Sequence, residues 1–427
     1  MAFTSLRGTY DIYPPQSRMW EEVELKAREI FSLYGCGEIR TPIIEDTRLF
    51  TRSIGEGTDI VNKEMYTFPD RKGRSITLRP EGTASVVRAY LQHKLYAANA
   101  LCRLFYIGPM FRYERPQAGR NRQFYQLGTE FLGSTHPYYD AESIVLLVSY
   151  FRSLGINNAV VKMNSVGSQE SKNNYSKIVK DFFADHIKEM CPDCSTRFEK
   201  NPLRILDCKV STCREVIKGA PSTESALNTE DQEHFNSVKE YLDAMKIQYE
   251  IEPRLVRGLD YYTNTIYEVV HTHLGSQDAL GGGGRYNNLI EEMGGQSTGA
   301  VGFAVGIDRL VMVLEKMQNE QIRNAGSTVD LYVLNLSESI RTDHIKLLHA
   351  LREKNVSVDI CTEQKSFKAQ MRMANKLRAR FVLIQGEEEL AKSVVKLKDM
   401  NEKHEETISY TDFNTVVEKV AERIEKK

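Results

Sequence analysis

The chain of 427 residues is long enough for about two to four domains, each with its own core. Its 41% hydrophobic and 27% charged content is ordinary for a globular protein, and no apolar run approaches the roughly 20 residues of a membrane-spanning helix. The 57 basic and 58 acidic residues leave a net charge of −1, so any nucleic-acid surface has to be local.

The opening residues 1–11 lack the basic-then-apolar order of a secretory signal, and the cytoplasm is the expected compartment. Over residues 20–33, Val23, Leu25, Ala27, Ile30 and Phe31 recur among charged residues, which predicts an amphipathic helix. Gly35 and Gly37 end it. Residues 39–44 follow as a strand interrupted by Pro42, the mark of a sheet edge or a bend. A helix is expected over 84–96, with Thr83 suited to its N-cap. Residues 104–132 read as strand, loop and strand: outgoing over 105–114, looping over 115–121, returning over 123–132. A polar, lysine-rich stretch over 169–249 shows no strand periodicity and is expected to be a mostly helical insertion. Residues 300–305 predict a glycine-flanked strand. Residues 307–317 predict a helix with Leu310, Val311 and Leu314 on one face. After the turn-prone residues 324–328 the texture changes. Short apolar strands over 329–334, 356–360, 381–384 and 394–397 alternate with helical segments, as in a separate small α/β domain. The expected domains are 1–168, 169–249, 250–325 and 326–427, the clearest boundary falling at 320–328.

Period-two alternation puts Arg112 and Glu114 on one strand face, and Gln126, Gly128 and Glu130 on one face of the returning strand. If the hairpin pairs, one surface carries Arg112, Glu114, Gln126 and Glu130. A solvated sheet face would also carry charges, but bulky apolar neighbours and the loop cations Arg115, Arg120 and Arg122 argue against it. Arg257-Gly-Leu-Asp-Tyr-Tyr-Thr263 and Gly281-Gly-Gly-Gly-Arg-Tyr-Asn-Asn288 together supply a cation, a carboxylate, phenols and glycines. That mixture suits a polar small molecule beside a phosphate, although each piece alone equally describes an aromatic strand and a turn. Residues 365–380 hold six cations and no anion, with Lys365, Lys368, Arg372 and Lys376 at helical spacing. Such a run is either a solvated face or an electrostatic footprint for RNA. Cys191-Pro-Asp-Cys194, with Cys208 and Cys213 downstream, has the look of a zinc knuckle. The second pair is spaced more loosely than the first, and the preferred expectation is a set of reduced thiols without metal.

Residues 110–130 resemble the second motif of class II aminoacyl-tRNA synthetases in its histidyl form, and 299–309 the third. The helix, strand and Pro42 of 20–44 resemble the first motif, and the two segments at 257–263 and 281–288 resemble the histidine signatures. In this order they cover nearly the whole chain, which is similar to bacterial-type histidyl-tRNA synthetases. The resemblance implies an α+β fold: an antiparallel sheet with flanking helices, a mostly helical insertion, and a C-terminal α/β anticodon-binding domain. It implies a ligase that uses ATP and Mg²⁺ to convert L-histidine to histidyl-adenylate, then transfers it to the 3′ end of tRNA-His. It also implies a homodimer built on the first motif. Arg112 and Arg257 would meet the α-phosphate, Glu114 would belong to the ATP site, and Arg309 would meet the distal phosphates. Glu81 and Thr83 would bind the substrate's α-amino group, and Gln126, Glu130, Tyr261 and Tyr262 would line the histidine pocket. Arg115, Gln117 and Arg120 would face the tRNA acceptor end, and Lys368, Arg372 and Lys376 the anticodon side. The rival readings are a synthetase-like regulatory subunit without catalysis and a tRNA sensor.

Overall fold

The computed structural model describes residues 3–55, 58–271, 279–317, 329–336, 342–363, 365–409 and 412–425. The expected boundary at 320–328 lies outside the described residues. By its internal packing the chain divides into two units, one of residues 1–12 and 20–319, the other of 13–19 and 320–427.

The first helix, Gln16–Leu33, starts ahead of its predicted position, and its part in the larger unit, from Trp20 on, buries Trp20, Val23, Ala27 and Phe31. These positions recur at helical spacing, so one stripe faces the core. The Phe31 ring packs on Phe105, Tyr150 and Phe303 with centroids 5.5, 5.5 and 5.9 Å away. The single predicted strand over 39–44 does not form. Instead β1 (Gly37–Glu38) and β2 (Ile44–Asp46) lie in different sheets, and Pro42, which has no amide to donate, occupies the link between them. β2 joins β3 (Thr67–Pro69) and β4 (Ser75–Leu78) in a small antiparallel sheet ordered β2-β4-β3.

The main sheet is completed by β5 (Cys102–Phe111), β6 (Gln123–Leu132), β7 (Val160–Ser165), β8 (Tyr249–Ile251), β9 (Thr263–Val270), β10 (Ala279–Arg285) and β11 (Ala300–Gly306). Its order is β1-β5-β6-β11-β10-β9-β7-β8, antiparallel within and closed at each end by a parallel pair. The β5–β6 hairpin pairs Cys102 with Leu132 and Phe111 with Gln123. β5 therefore ends earlier than the predicted 105–114. The Arg112 amide still donates to Arg122 at 2.9 Å, but that of Tyr113 turns to the carbonyl of Glu64 and leaves the ladder.

The stretch after β7 is helical, as its lack of strand periodicity suggests, with helices Gln169–Ala184, Pro192–Lys200, Ser211–Ile217 and Thr229–Ala244. Ser168 and Asn228 cap the first and last, their side chains accepting from the amides of Ser171 and Asp231. Tyr175, Val179 and Phe183 form the apolar stripe of the first helix and pack on Leu203, Ile205 and the buried cysteines. The second glycine signature is β10 itself. Its Arg285 is fully buried and pairs with Asp140 at the start of the Tyr138–Ser153 helix, so it holds the sheet to that helix.

The smaller unit is a five-stranded sheet ordered β13-β12-β14-β15-β16, with β12 (Leu331–Val333), β13 (Val358–Ile360), β14 (Phe381–Ile384), β15 (Val394–Asp399) and β16 (Glu405–Ser409). The first two are shorter than predicted. β16 was not anticipated because it is an edge strand whose one buried apolar residue is Ile408. Helices Thr342–Glu353 and Phe413–Glu425 supply Leu347, Leu351, Val417 and Val420 to its core.

Candidate active site

A cavity of about 310 Å³ opens on the main sheet between the β5–β6 hairpin, the 81–83 turn, the 257–262 segment and strands β10 and β11. It brings together Glu81, Thr83, Arg112, Glu114, Arg120, Gln126, Glu130, Arg257, Tyr261, Tyr262 and Arg309, every residue singled out from the sequence for ATP or histidine among them. The predicted face of Arg112, Glu114, Gln126 and Glu130 is thus a cavity wall and not a solvated surface.

One end is built around Glu130, only 1% exposed. Thr83 Oγ1 donates to Glu130 Oε1 at 2.7 Å, and the Tyr286 hydroxyl donates to Oε2. Burial pushes the Glu130 carboxyl up to about 8, against the pull of those two donors, so it is largely protonated at neutral pH. The carboxyl can lie this close to β11 because position 302 is glycine: a Cβ there would overlap Glu130 Oε2 and the Thr129 carbonyl. Thr83 is not the helix N-cap that the sequence suggested. Gly82 occupies the cap position of helix Thr83–Gln92, and the Glu81 carboxylate takes the amides of Thr83 and Ala84 at 2.7 and 2.8 Å. A side chain at position 82 would collide with the Tyr106 ring, so the tight approach requires glycine. Tyr261 and Tyr262 follow the bend after Arg257 and are not part of a strand. Their rings lie 4.7 Å apart, and Tyr261 meets Tyr286 at 5.5 Å. Gln126 Oε1 is buried here without a protein partner, a polar atom that a ligand's donor would satisfy.

The other end is cationic. Arg112 lies over the Phe124 ring at 5.3 Å and donates through Nε to the Pro80 carbonyl at 2.9 Å, which leaves its outer nitrogens toward the cavity. Arg257 pairs with Glu268 and lies 5.9 Å over Tyr262. Arg309 donates to the carbonyls of Gly119 (3.1 Å) and Ala279 (3.2 Å). Burial, and then the positive field of Arg120 and Arg112, pulls its pKa below the ordinary guanidinium value. Cations held together against their own repulsion make a site that favours an anion. Asp308 fixes this end: it accepts from Tyr10 Oη (2.7 Å), Asn121 Nδ2 (2.9 Å) and the Tyr125 amide (2.9 Å), tying the hairpin loop to the helix Ile307–Lys316. Glu114 pairs with Arg120 at 3.1 Å. Glu268, paired with Arg257, lines the same cavity, so this wall carries two carboxylates, the hard oxygen donors that Mg²⁺ takes.

Sequence reasoning missed Glu268, Tyr286, Tyr106 and Asp308. Glu268 is an acid on the strand β9, where alternation alone does not separate a cavity wall from a wet face. In the hairpin loop, Arg115 and Gln117 are exposed, whereas Arg122 stacks 4.0 Å over Tyr113. In the smaller unit the helix begins at Phe367, with Ser366 as its cap, so Lys365 precedes it and pairs with Glu363 at 2.7 Å. Arg380 pairs with Asp330 at 3.0 Å. Lys368, Arg372 and Lys376 remain as an exposed basic face on the helix itself. Cys191, Cys194, Cys208 and Cys213, which have the look of a zinc knuckle in the sequence but were expected as reduced thiols without metal, bring their sulfurs within 4.8 Å of one another.

Residues 8–310 match the family model for Histidyl-tRNA synthetase, and 330–420 match that for the Anticodon binding domain. A histidine–tRNA ligase of Natranaerobius thermophilus is 46% identical over 97% of this chain and 98% of its own. One of Halothermothrix orenii is 49% identical over 92% and 94%. The crystal structure of apo histidyl-tRNA synthetase from S. aureus superposes with a TM-score of 0.79 at 36% identity, covering 98% of this chain and all of that one. With its α+β catalytic sheet, helical insertion and C-terminal anticodon-binding domain, the chain belongs to the histidyl-tRNA synthetase family.

Proposed function

We propose that this chain is a histidine–tRNA ligase that activates L-histidine with ATP and charges tRNA-His. The observation that carries the reading is one cavity joining Arg112, Arg257 and Arg309 to the buried Glu130–Thr83–Tyr286 cluster. The buried end recognises histidine. Glu81 and Thr83 meet its α-ammonium, Gln126 and Glu130 meet its polar atoms, and Tyr261 and Tyr262 enclose it. A site whose polar groups must be satisfied rejects analogues lacking them by on the order of 10⁴–10⁵.

In the first step a histidine carboxylate oxygen attacks the α-phosphorus of ATP, and the bond to pyrophosphate breaks. Arg112 and Arg257 approach that phosphorus from two sides and stabilise the charge that builds there. Arg257 is held in place by its ion pair with Glu268. Arg309 binds the distal phosphates. Glu114 and Glu268 would hold Mg²⁺, whose charge offsets that of the polyphosphate. In the second step the terminal ribose hydroxyl of tRNA attacks the histidyl carbonyl and AMP leaves. Arg115, Gln117 and Arg120 border the acceptor end. Lys368, Arg372 and Lys376 give the anticodon arm sequence-independent affinity.

The working unit is a homodimer. The exposed apolar residues Leu25 and Leu33 of the first helix, with Ile43 and Ile44 beside Pro42, offer the surface for it. The reaction belongs in the cytoplasm, and among the described residues no helix is long and apolar enough to cross a membrane. Arg257→Ala tests the assignment: single-turnover adenylate formation should fall by about 10²–10³ while the fold is kept. Near-normal activation would remove Arg257 from its role. A regulatory or tRNA-sensing protein would show no histidine activation in the unaltered chain either.

A further inference from the structure

Outside the cavity, the convergence of the four cysteines is the feature that the reaction leaves unused. Cys191 and Cys194 belong to the start of helix Pro192–Lys200. Cys208 follows the short helical segment Pro202–Asp207, and Cys213 lies in the first turn of Ser211–Ile217. Two separate chain segments thus deliver two thiols each to one point, with all four sulfurs within 4.8 Å of one another. The Cys191 and Cys208 sulfurs are 3.8 Å apart. A tetrahedral ion with Zn–S bonds of about 2.3 Å sets S···S separations of roughly 3.8 Å. The backbone amide of Cys191 also donates to Cys213 Sγ at 3.2 Å, an arrangement that offsets charge on a metal-bound thiolate. Cys194, Cys208 and Cys213 are buried and Cys191 is half-buried, as in a largely closed metal site. Thiols packed only as small apolar groups have no reason to converge on a common centre.

We propose that Cys191, Cys194, Cys208 and Cys213 bind one structural Zn²⁺ and that this ion fixes part of the wall of the active site. The segment between the two cysteine pairs reaches that wall directly. Asn201 Nδ2 donates to Asp260 Oδ1 at 2.8 Å, and Arg204 Nη1 donates to the Gly258 carbonyl at 2.9 Å. Arg197 and Arg204 both pair with Asp59, at 3.1 and 3.3 Å. Gly258 and Asp260 flank Leu259 in the segment that carries Arg257, Tyr261 and Tyr262. Zinc is a closed, non-catalytic clamp here: all four positions are taken by sulfur, so it activates no water.

The full chain, purified under reducing conditions without chelator, should contain one zinc per chain by elemental analysis. Replacement by Co²⁺ should give the intense visible and near-ultraviolet bands of a tetrahedral tetrathiolate. Titration with an organomercurial should release the zinc in step with blocking of four thiols. Cys194→Ser should lose the metal. Should that variant fail to fold, the Co²⁺ spectrum of the unaltered chain still decides the matter. Protein that takes up no zinc, with four freely reactive thiols or a disulfide among them, would overturn the proposal. So would stoichiometric zinc retained by a soluble Cys194→Ser/Cys208→Ser variant. For the link to the wall, zinc-depleted protein should show a raised KM for histidine that zinc restores. Unchanged histidine kinetics in depleted protein would refute that link.

Discussion

Replacing Glu130 with glutamine removes a buried carboxyl that the folded protein keeps protonated well into the neutral range. Its pKa in the fold is about 8, against 4.5 for a free side chain, with burial as the main cause. Between those two pH values the folded state holds one more proton at this group than the unfolded state. Unfolding free energy therefore falls as pH rises, by about 1.4 kcal/mol per unit from this group alone. From pH 5 to pH 7 that amounts to about 2.7 kcal/mol, and the loss ends above pH 8, where both states are ionised. Glutamine cannot titrate. Imperfect hydrogen bonds to Thr83 and Tyr286 give Glu130→Gln a constant offset of about 1–3 kcal/mol. Its stability relative to the parent should nevertheless climb by the full amount over this range. Trp20, the only tryptophan and 5% exposed, belongs to the same unit as Glu130 and reports its unfolding by fluorescence in urea at each pH. Parallel stability curves for parent and variant would refute the reasoning, because Glu130 would then carry its charge in the folded state. At pH 7 the same variant should activate histidine poorly, since the amide puts an NH₂ donor where a carboxyl oxygen accepts from Thr83 or Tyr286 and so disturbs the end of the cavity that holds the substrate.

Gly302→Ala places a methyl group against Glu130 Oε2 and the Thr129 carbonyl. It should destabilise the protein by about 1–3 kcal/mol and raise KM for histidine more than KM for ATP. Equal effects on both substrates would count against a histidine end at Glu130. Reversing Lys368, Arg372 and Lys376 to glutamate should weaken tRNA charging by tenfold or more and reduce its salt dependence, while histidine-dependent pyrophosphate exchange is unchanged. Loss of exchange as well would mean that the variant disturbs the fold and not an RNA surface.

The site was readable in the sequence where local periodicity decides geometry. The alternation expected across the hairpin puts Arg112, Glu114, Gln126 and Glu130 on one wall; β6 carries Gln126 and Glu130 there, while Arg112 and Glu114 reach it from the loop just past the end of β5. Arg257, Tyr261 and Tyr262 were readable through their resemblance to a family signature. Periodicity gives no sign of them, because they lie in a bend ahead of β9. What stayed hidden depends on tertiary placement. Glu268 becomes part of the wall only because β9 pairs with β10, and Asp308 matters through its bonds to a loop that lies far back in the chain. Arg285, within the glycine signature, works in the fold by neutralising Asp140 and not at the substrate. The four cysteines show the same limit. Spacing along the chain argued against a metal site, while the turns around Pro202–Asp207 bring the two pairs together.

Histidine-dependent exchange of pyrophosphate into ATP, with other amino acids as controls, tests the central claim most directly. The account predicts rapid exchange with histidine alone, before any tRNA is added. No exchange from folded, Mg²⁺-supplied protein, or exchange with a different amino acid, would contradict it.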